Sequence, residues 1–205
     1  MFSNAMACNH TPKLMLDIDD IQYFSSDAHG INYFNGDLVI NLTGISNLPS
    51  ALNIPELAEH IDIGFDEVMV PWPDFGLPRV HISFWEALHT YVQSKEYKSV
   101  CIHCHGGHGR TGTALCAVLI AICGYSAEES VWRVRTNHCE KAVETTSQCR
   151  YLQLIDLHYN SRAPNNETCP VSSMEIQAAD ERARLAKENA KGKRTRRKAN
   201  KQQGS

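Results

Sequence analysis

Short apolar blocks separated by turn residues alternate along this chain with longer runs of helical spacing. Asp37–Leu42, DLVINL, reads as a buried strand ended by Thr43-Gly44, and Glu67–Val70 and Ser99–Ile102 read as further short strands. Ile21–Phe24 and Ile31–Phe34 are β-prone runs on either side of the turn-forming SSDAHG, while residues 1–20, with aspartates at 17, 19 and 20, show no period and predict an irregular lead-in. Pro49–His60 predicts a loop with one short helix, Pro55 suiting its first turn. Val80, Ile82, Phe84, Leu88, Tyr91 and Val92 predict a helix over Pro78–Ser94 with one buried face. A second helix is expected over Arg110–Cys123, closed by Gly124. Ser126-Ala-Glu-Glu129 is a capping box opening a third helix that runs to about Thr136, and Thr145 or Thr146 opens a last one through Tyr159. Strands alternating with helices predict an α/β fold, a central, mostly parallel sheet covered by helices on both faces.

Composition places this pattern in an ordinary globular chain: 205 residues, 42% hydrophobic and 21% charged. No run of some 18 apolar residues predicts a transmembrane helix, and no basic segment followed by an apolar core predicts a secretory signal. Ser3-Asn4-Ala5 before Met6 matches a cloning remnant or simply the native start. Charge then divides the molecule. Residues 166–205 hold 10 Lys and Arg against 5 Asp and Glu, whereas residues 1–165 hold 10 against 18. We therefore expect a lead-in over 1–20, a folded domain over 21–163 and a basic, largely disordered tail over 164–205. Ser172–Ala190 carries a capping pattern but only a thin apolar stripe, and Lys191–Ser205 is polar and basic. The cysteines (8, 101, 104, 116, 123, 139, 149 and 169) are scattered through apolar segments rather than framing loops, which suits a reducing, intracellular and cytoplasmic setting, with a nuclear one open.

Candidate chemistry is concentrated in Val100–Gly112, VCIHCHGGHGRTG. A β-rich approach ends at His103-Cys104, a turn follows through His105, Gly106, Gly107, His108 and Gly109, and Arg110-Thr111 opens the apolar run TALCAVLIAI. Such a strand–loop–helix turn can aim successive backbone N–H groups and a helix N-terminus at one oxyanion. A cysteine opening it is expected to be an acidic thiol and a ready nucleophile. Arg110 offers a planar fork of donors matching two phosphate oxygens. Upstream, Pro71–Pro78, PWPDFGLP, is a loop of defined bends holding one carboxylate, Asp74, between Trp72 and Phe75. A carboxyl group on such a loop can protonate a departing alkoxide or phenoxide.

Together these residues resemble the cysteine-dependent protein tyrosine phosphatase superfamily. HCHGGHGRTG is similar to its signature of His-Cys, five residues, Arg and a hydroxyl residue, and PWPDFGLP to its movable Trp-Pro-Asp loop. Val143–Tyr151, VETTSQCRY, is similar to its glutamine loop. The resemblance spans roughly residues 35–160 and implies the compact dual-specificity fold. It implies Cys104 as nucleophile, Asp74 as general acid and base, and Arg110 with the backbone of residues 105–109 as phosphate binder. It further implies that Thr111 assists the thiolate as leaving group, that Gln148 positions the hydrolytic water, and that His103 and Trp72 support the loops. His105 and His108 are unusual in the cradle; they either line the pocket mouth, where protonation would favour anions, or simply face solvent.

The implied reaction needs no cofactor and no metal. Cys101-x-x-Cys104 with the neighbouring histidines offers an alternative metal reading, but no second ligand pair follows at finger-like spacing. A monomer acting on a phosphoprotein is the expectation. The alternative is a non-protein substrate: an RNA 5′-phosphate, a phosphoinositide or another small phosphate. A binding-only pseudophosphatase would lack the Cys, the Arg or the Asp, and all three are present. The basic tail is either a solvated extension or a contact for nucleic acid, an anionic membrane or an import receptor.

Overall fold

A computed structural model of the chain describes residues 8–45 and 66–161. The expected short helix near Pro55, the tail and its two segments lie outside the described residues.

Five strands form one mixed sheet: β1 (Lys13–Ile18), β2 (Ile21–Ser26), β3 (Leu38–Asn41), β4 (Asp66–Met69) and β5 (Ser99–His103). Their spatial order is β1-β2-β5-β3-β4; β1 runs antiparallel to β2, and the other pairs are parallel. The parallel strands are the predicted ones, and the fold class stands. The lead-in does not. Residues 13–18 are a strand, and Ile18 pairs with Ile21 across a two-residue turn in which Asp19 and Asp20 have φ of 52° and 62°. Two successive positive φ values are what a tight hairpin demands, and Asp tolerates them better than most residues. A register shift between Leu14 and Leu16 destroys the alternation that would have revealed β1. Ile31–Phe34 also differs from expectation: Gly30–Tyr33 is a 3-10 turn, nucleated by the Asp27 carboxylate, which accepts from the amides of His29 (2.9 Å) and Gly30 (2.6 Å).

Four helices follow: α1 (Phe84–Ser94), α2 (Gly109–Cys123), α3 (Ala127–Asn137) and α4 (Thr146–Asn160). The first begins six residues later than predicted. Val80, Ile82 and Phe84 recur every second residue, which is not helical spacing, and a turn in which His81 Nδ1 meets the Ser83 hydroxyl at 2.7 Å precedes the helix. Both predicted caps form. Ser126 Oγ accepts from Glu129 N, and Thr145 and Gln148 make a reciprocal capping box. Gly124, at φ 70°, ends α2 in the left-handed conformation.

The faces of the sheet are covered unequally. Leu38, Ile40, Val100 and Ile102 join Trp85, Leu88, Leu115 and Leu119 in one core on the helical side. On the reverse, Val39 and Cys101 pack with Ile31 and Phe34. Among the described residues, that second face is covered by the 3-10 turn rather than by helices. α2 is buried from Gly109 to Ile120, which explains why its apolar residues run unbroken instead of forming a stripe. Six of the described cysteines are free, whereas Cys149 in α4 is disulfide-bonded. Among the described residues no helix is long and apolar enough to cross a membrane.

Candidate active site

The central strand β5 delivers Cys104 to the C-terminal edge of the sheet, and α2 starts five residues later. In open α/β sheets this is where ligands bind, outside the carboxyl ends of the strands. Gly107, at φ 69°, turns the chain into the helix, and Gly112 N donates to His108 O at 2.7 Å to start the helical ladder. The Cys104 side chain is nearly enclosed, with 3% of the residue exposed.

Arg110 lies in the first turn of α2 and is 7% exposed. Its Nη1 donates to Trp72 O (3.0 Å) and Leu42 O (3.4 Å), and its Nη2 pairs with Asp74 Oδ1 at 3.1 Å. Two carbonyls and a carboxylate thus fix the guanidinium plane and dock the Trp-Pro-Asp loop onto the cysteine turn. The loop has its own anchor. Trp72 is buried against Trp85 and Tyr151, with ring centroids 6.3 and 6.1 Å away, and its Nε1 donates to Gly76 O at 2.7 Å. A buried tryptophan beside an exposed aspartate lets the loop hold its position while offering the carboxylate to the cleft.

That cleft has a volume of about 180 Å³, and Asp74, Phe75, Cys104, His105, Arg110 and Glu144 are among its lining residues. Gly106, His108 and Gly109 also line it, and Gly107 is buried behind. The Thr111 hydroxyl is fully buried one residue beyond Arg110, with no hydrogen-bond partner among the described residues. His103 is buried beneath the turn; burial pushes its imidazole below the usual range, opposed by a backbone hydrogen bond at Cys104.

Gln148 is brought to the loop but is committed to the helix cap. Its Oε1 accepts from Glu144 N (2.7 Å) and Thr145 N (3.3 Å), while its buried Nε2 has no partner among the described residues. The two cradle histidines differ. His105 is exposed at the mouth. His108 turns to His10, with Nδ1 3.0 Å from His10 Nε2. Burial, with His10 and Lys141 nearby, pushes His108 down to about 4, so it is neutral at physiological pH and supplies no cation to the pocket mouth. The Cys101-x-x-Cys104 alternative also fails. Cys101 belongs to the core on the reverse face, and burial pushes its thiol up, whereas Cys104 joins the helical side.

Residues 78–161 match the family described as "Swiss Army Knife protein, DSP-PTPase phosphatase domain". Over these residues, about two fifths of its length, the chain resembles that phosphatase domain. Among solved structures it is similar to Tk-PTP in the active form, with 25% identity, a TM-score of 0.52, and coverage of 70% of this chain and 95% of that one. An uncharacterized protein of Methanocaldococcus jannaschii is 42% identical over 80 residues, which is 38% of this chain and 48% of that protein. A protein of Arabidopsis thaliana named phosphatidylinositol 3,4,5-trisphosphate 3-phosphatase and protein-tyrosine-phosphatase PTEN2B is 25% identical over 107 residues, 48% of this chain and 17% of that one. The chain thus spans about half or less of the curated relatives it matches.

One residue lining the cleft escaped the sequence reading. Glu144 Oε2 accepts from Gly109 N at 3.0 Å, at the N-terminal end of α2, where an anion is favoured. A Cβ on Gly109 would lie 2.2 Å from that oxygen. Only the neighbouring cap at Thr145 hinted at it, because a cap fixes where the preceding side chain emerges.

Proposed function

We propose that this domain hydrolyses phosphate monoesters through a cysteinyl-phosphate, on phosphotyrosine and phosphoserine or phosphothreonine in proteins. The observation that carries the reading is the convergence of Cys104, Arg110 and Asp74 on one cleft, with Asp74 and Arg110 3.1 Å apart. In the first step the Cys104 sulfur forms a bond to phosphorus as the ester P–O bond breaks. Arg110 and the turn amides hold the equatorial oxygens, and Asp74 delivers a proton to the leaving oxygen. An arriving phosphoryl group shares the guanidinium with Asp74 and displaces Glu144 from the Gly109 amide. In the second step, water deprotonated by Asp74 attacks phosphorus, the S–P bond breaks and phosphate leaves, with the Thr111 hydroxyl supporting the departing thiolate. Gln148, through its Nε2, is the proposed holder of that water. No step draws on a metal or a cofactor.

A second reading, a non-protein phosphate substrate, is favoured by the likeness to the Arabidopsis protein, whose name includes a phosphoinositide phosphatase. The basic stretch after residue 165 is proposed as a contact for an anionic partner.

One turnover panel separates these readings. Wild type and Cys104→Ser are assayed in reductant without added divalent metal, on phosphotyrosyl and phosphothreonyl peptides, a phosphoinositide and a 5′-triphosphorylated RNA. We expect wild type to turn over the peptides and Cys104→Ser to lose turnover while still binding them. Preference for lipid or RNA supports the second reading, and turnover by Cys104→Ser near the wild-type rate removes the thiolate mechanism.

A further inference from the structure

Beside the cleft, four side chains that the phosphatase chemistry does not use as nucleophile, acid or base meet at one point. Cys8 and His10 come from the segment ahead of β1, His108 from the cysteine turn, and Cys139 from the chain just after α3. Their donor atoms all lie within 4.8 Å of one another. The core of the cluster is tighter. His10 Nε2 and His108 Nδ1 are 3.0 Å apart, and Cys139 Sγ is 3.3 Å from the same His108 nitrogen. On a tetrahedral zinc with Zn–N of about 2.0–2.1 Å and Zn–S of about 2.3 Å, two nitrogens lie about 3.4 Å apart, and a nitrogen and a sulfur about 3.6 Å. The observed separations are those of such a tetrahedron slightly collapsed. The widest pair exceeds the about 3.8 Å of two zinc-bound sulfurs by at most roughly 1 Å, which side-chain torsions can close.

We propose that Cys8, His10, His108 and Cys139 form a structural zinc site that ties the N-terminal segment to the phosphate-binding turn. The donor set is two thiolates and two imidazoles with no carboxylate, which selects zinc over the hard cations. Binding releases the two thiol protons to solvent and leaves a cluster of zero net charge, suited to a half-buried site. Surrounding groups hold the ligands in place, as outer contacts do in metal centres. His10 N donates to Asp27 Oδ2 at 2.9 Å, and the His138 ring, 4.7 Å from that of His10, bonds Gly107 O through Nε2 at 2.6 Å. The His10 ring lies so close over Gly107 that a Cβ there would approach it to 2.9 Å. All four protein ligands are present and leave no open position, so the zinc is structural rather than catalytic. The spacing, Cys-x-His, then a His and a Cys far downstream, explains why a finger-like pattern does not find it.

The test is metal content, independent of phosphatase activity. The full chain is reduced, loaded with zinc, desalted and analysed by elemental mass spectrometry, alongside Cys8→Ser, Cys139→Ser and the exposed, remote Cys123→Ser. We expect about one zinc per chain in wild type and Cys123→Ser, and at least a tenfold loss of apparent zinc affinity in the other two. Cobalt substitution should give the intense visible bands of a tetrahedral thiolate site in wild type and Cys123→Ser but not in the other two. Cys8 lies outside every strand and helix, so Cys8→Ser with an unchanged circular dichroism spectrum keeps the test decisive if Cys139→Ser misfolds. Zinc-free reduced wild type, an octahedral cobalt spectrum, or full zinc retention by Cys8→Ser overturns the proposal; so does a Cys8–Cys139 disulfide in protein that takes no zinc once reduced.

Discussion

At the scale of single residues, Asp74 carries the sharpest demand. Its carboxylate is largely exposed, yet one oxygen sits 3.1 Å from Arg110, so its position comes from the loop and the arginine rather than from burial. If it supplies the proton to the leaving oxygen, Asp74→Ala lowers turnover of esters with poor leaving groups by about 10²–10⁴-fold and barely affects esters whose leaving groups need no proton. Leaving-group dependence measured in both proteins checks this, and equal losses across the series would remove Asp74 from the acid role. Cys104, Arg110 and Asp74 were each readable from local motifs. Glu144 was not, because what matters about it is the Gly109 amide 35 positions upstream. His108 was read as lining the pocket mouth or facing solvent, but burial and its histidine neighbour, neither visible in sequence, turn it aside and keep it neutral.

At the scale of elements, close approach decides more than propensity does. Gly112 lies where α2 meets the segment before α4, and a Cβ there would sit 2.5 Å from Ala142 Cβ and 2.9 Å from Ala142 Cα. Alanine is the better helix former by about 1 kcal/mol. Overpacking against backbone nonetheless costs about 1–3 kcal/mol, so Gly112→Ala is expected to be net destabilising, with a melting temperature lower by a few degrees. A rise in melting temperature would mean that the segment yields. Asp37 performs the matching task between strands. Its Oδ2 accepts from Lys98 N, Ser99 N and Ser99 Oγ, each at 2.8 Å, and so joins the starts of β3 and β5. Desolvation opposes ionisation, but these hydrogen bonds prevail and hold the carboxyl below its ordinary range. A depressed carboxyl contributes stability above its unfolded pKa and loses it as pH falls through the folded value. Asp37→Asn should therefore be less stable than wild type near neutrality, by about 1–3 kcal/mol, and the gap should narrow below about pH 4. Urea unfolding of both proteins across that range measures it.

At the scale of the molecule, the sheet brings distant stretches of chain to one edge: residues 8–10, 72–76, 103–111 and 143–148. Burial there has a cost in acid. His103 is fully buried, and burial outweighs the favourable influence of the Cys104 backbone, Glu67 and Asp27 to push its imidazole below the ordinary value of 6.5. The folded chain resists a proton that the unfolded chain accepts. Its contribution is intact above about pH 6.5 and declines as pH falls toward the lower folded value. We expect a shallower fall in stability between pH 7.5 and 5.5 for His103→Gln than for wild type, read from denaturation midpoints. Parallel slopes would assign the acid loss elsewhere.

The chain by itself determined what depends on neighbours in sequence. The cysteine turn, the Trp-Pro-Asp loop, the caps at Ser126 and Thr145 and the parallel strands were all legible, because glycines, prolines, capping side chains and apolar runs act within a few residues of themselves. Only the tertiary structure decided what depends on distance. The bulged β1 hid its alternation, and the face of the sheet left to a 3-10 turn follows from where Ile31 and Phe34 can be buried. The docking of Asp74 on Arg110 and the meeting of Cys8, His10, His108 and Cys139 join residues from 36 to 131 positions apart at their widest. No local pattern encodes such encounters; they exist because packing the sheet against its helices leaves those side chains one place to go.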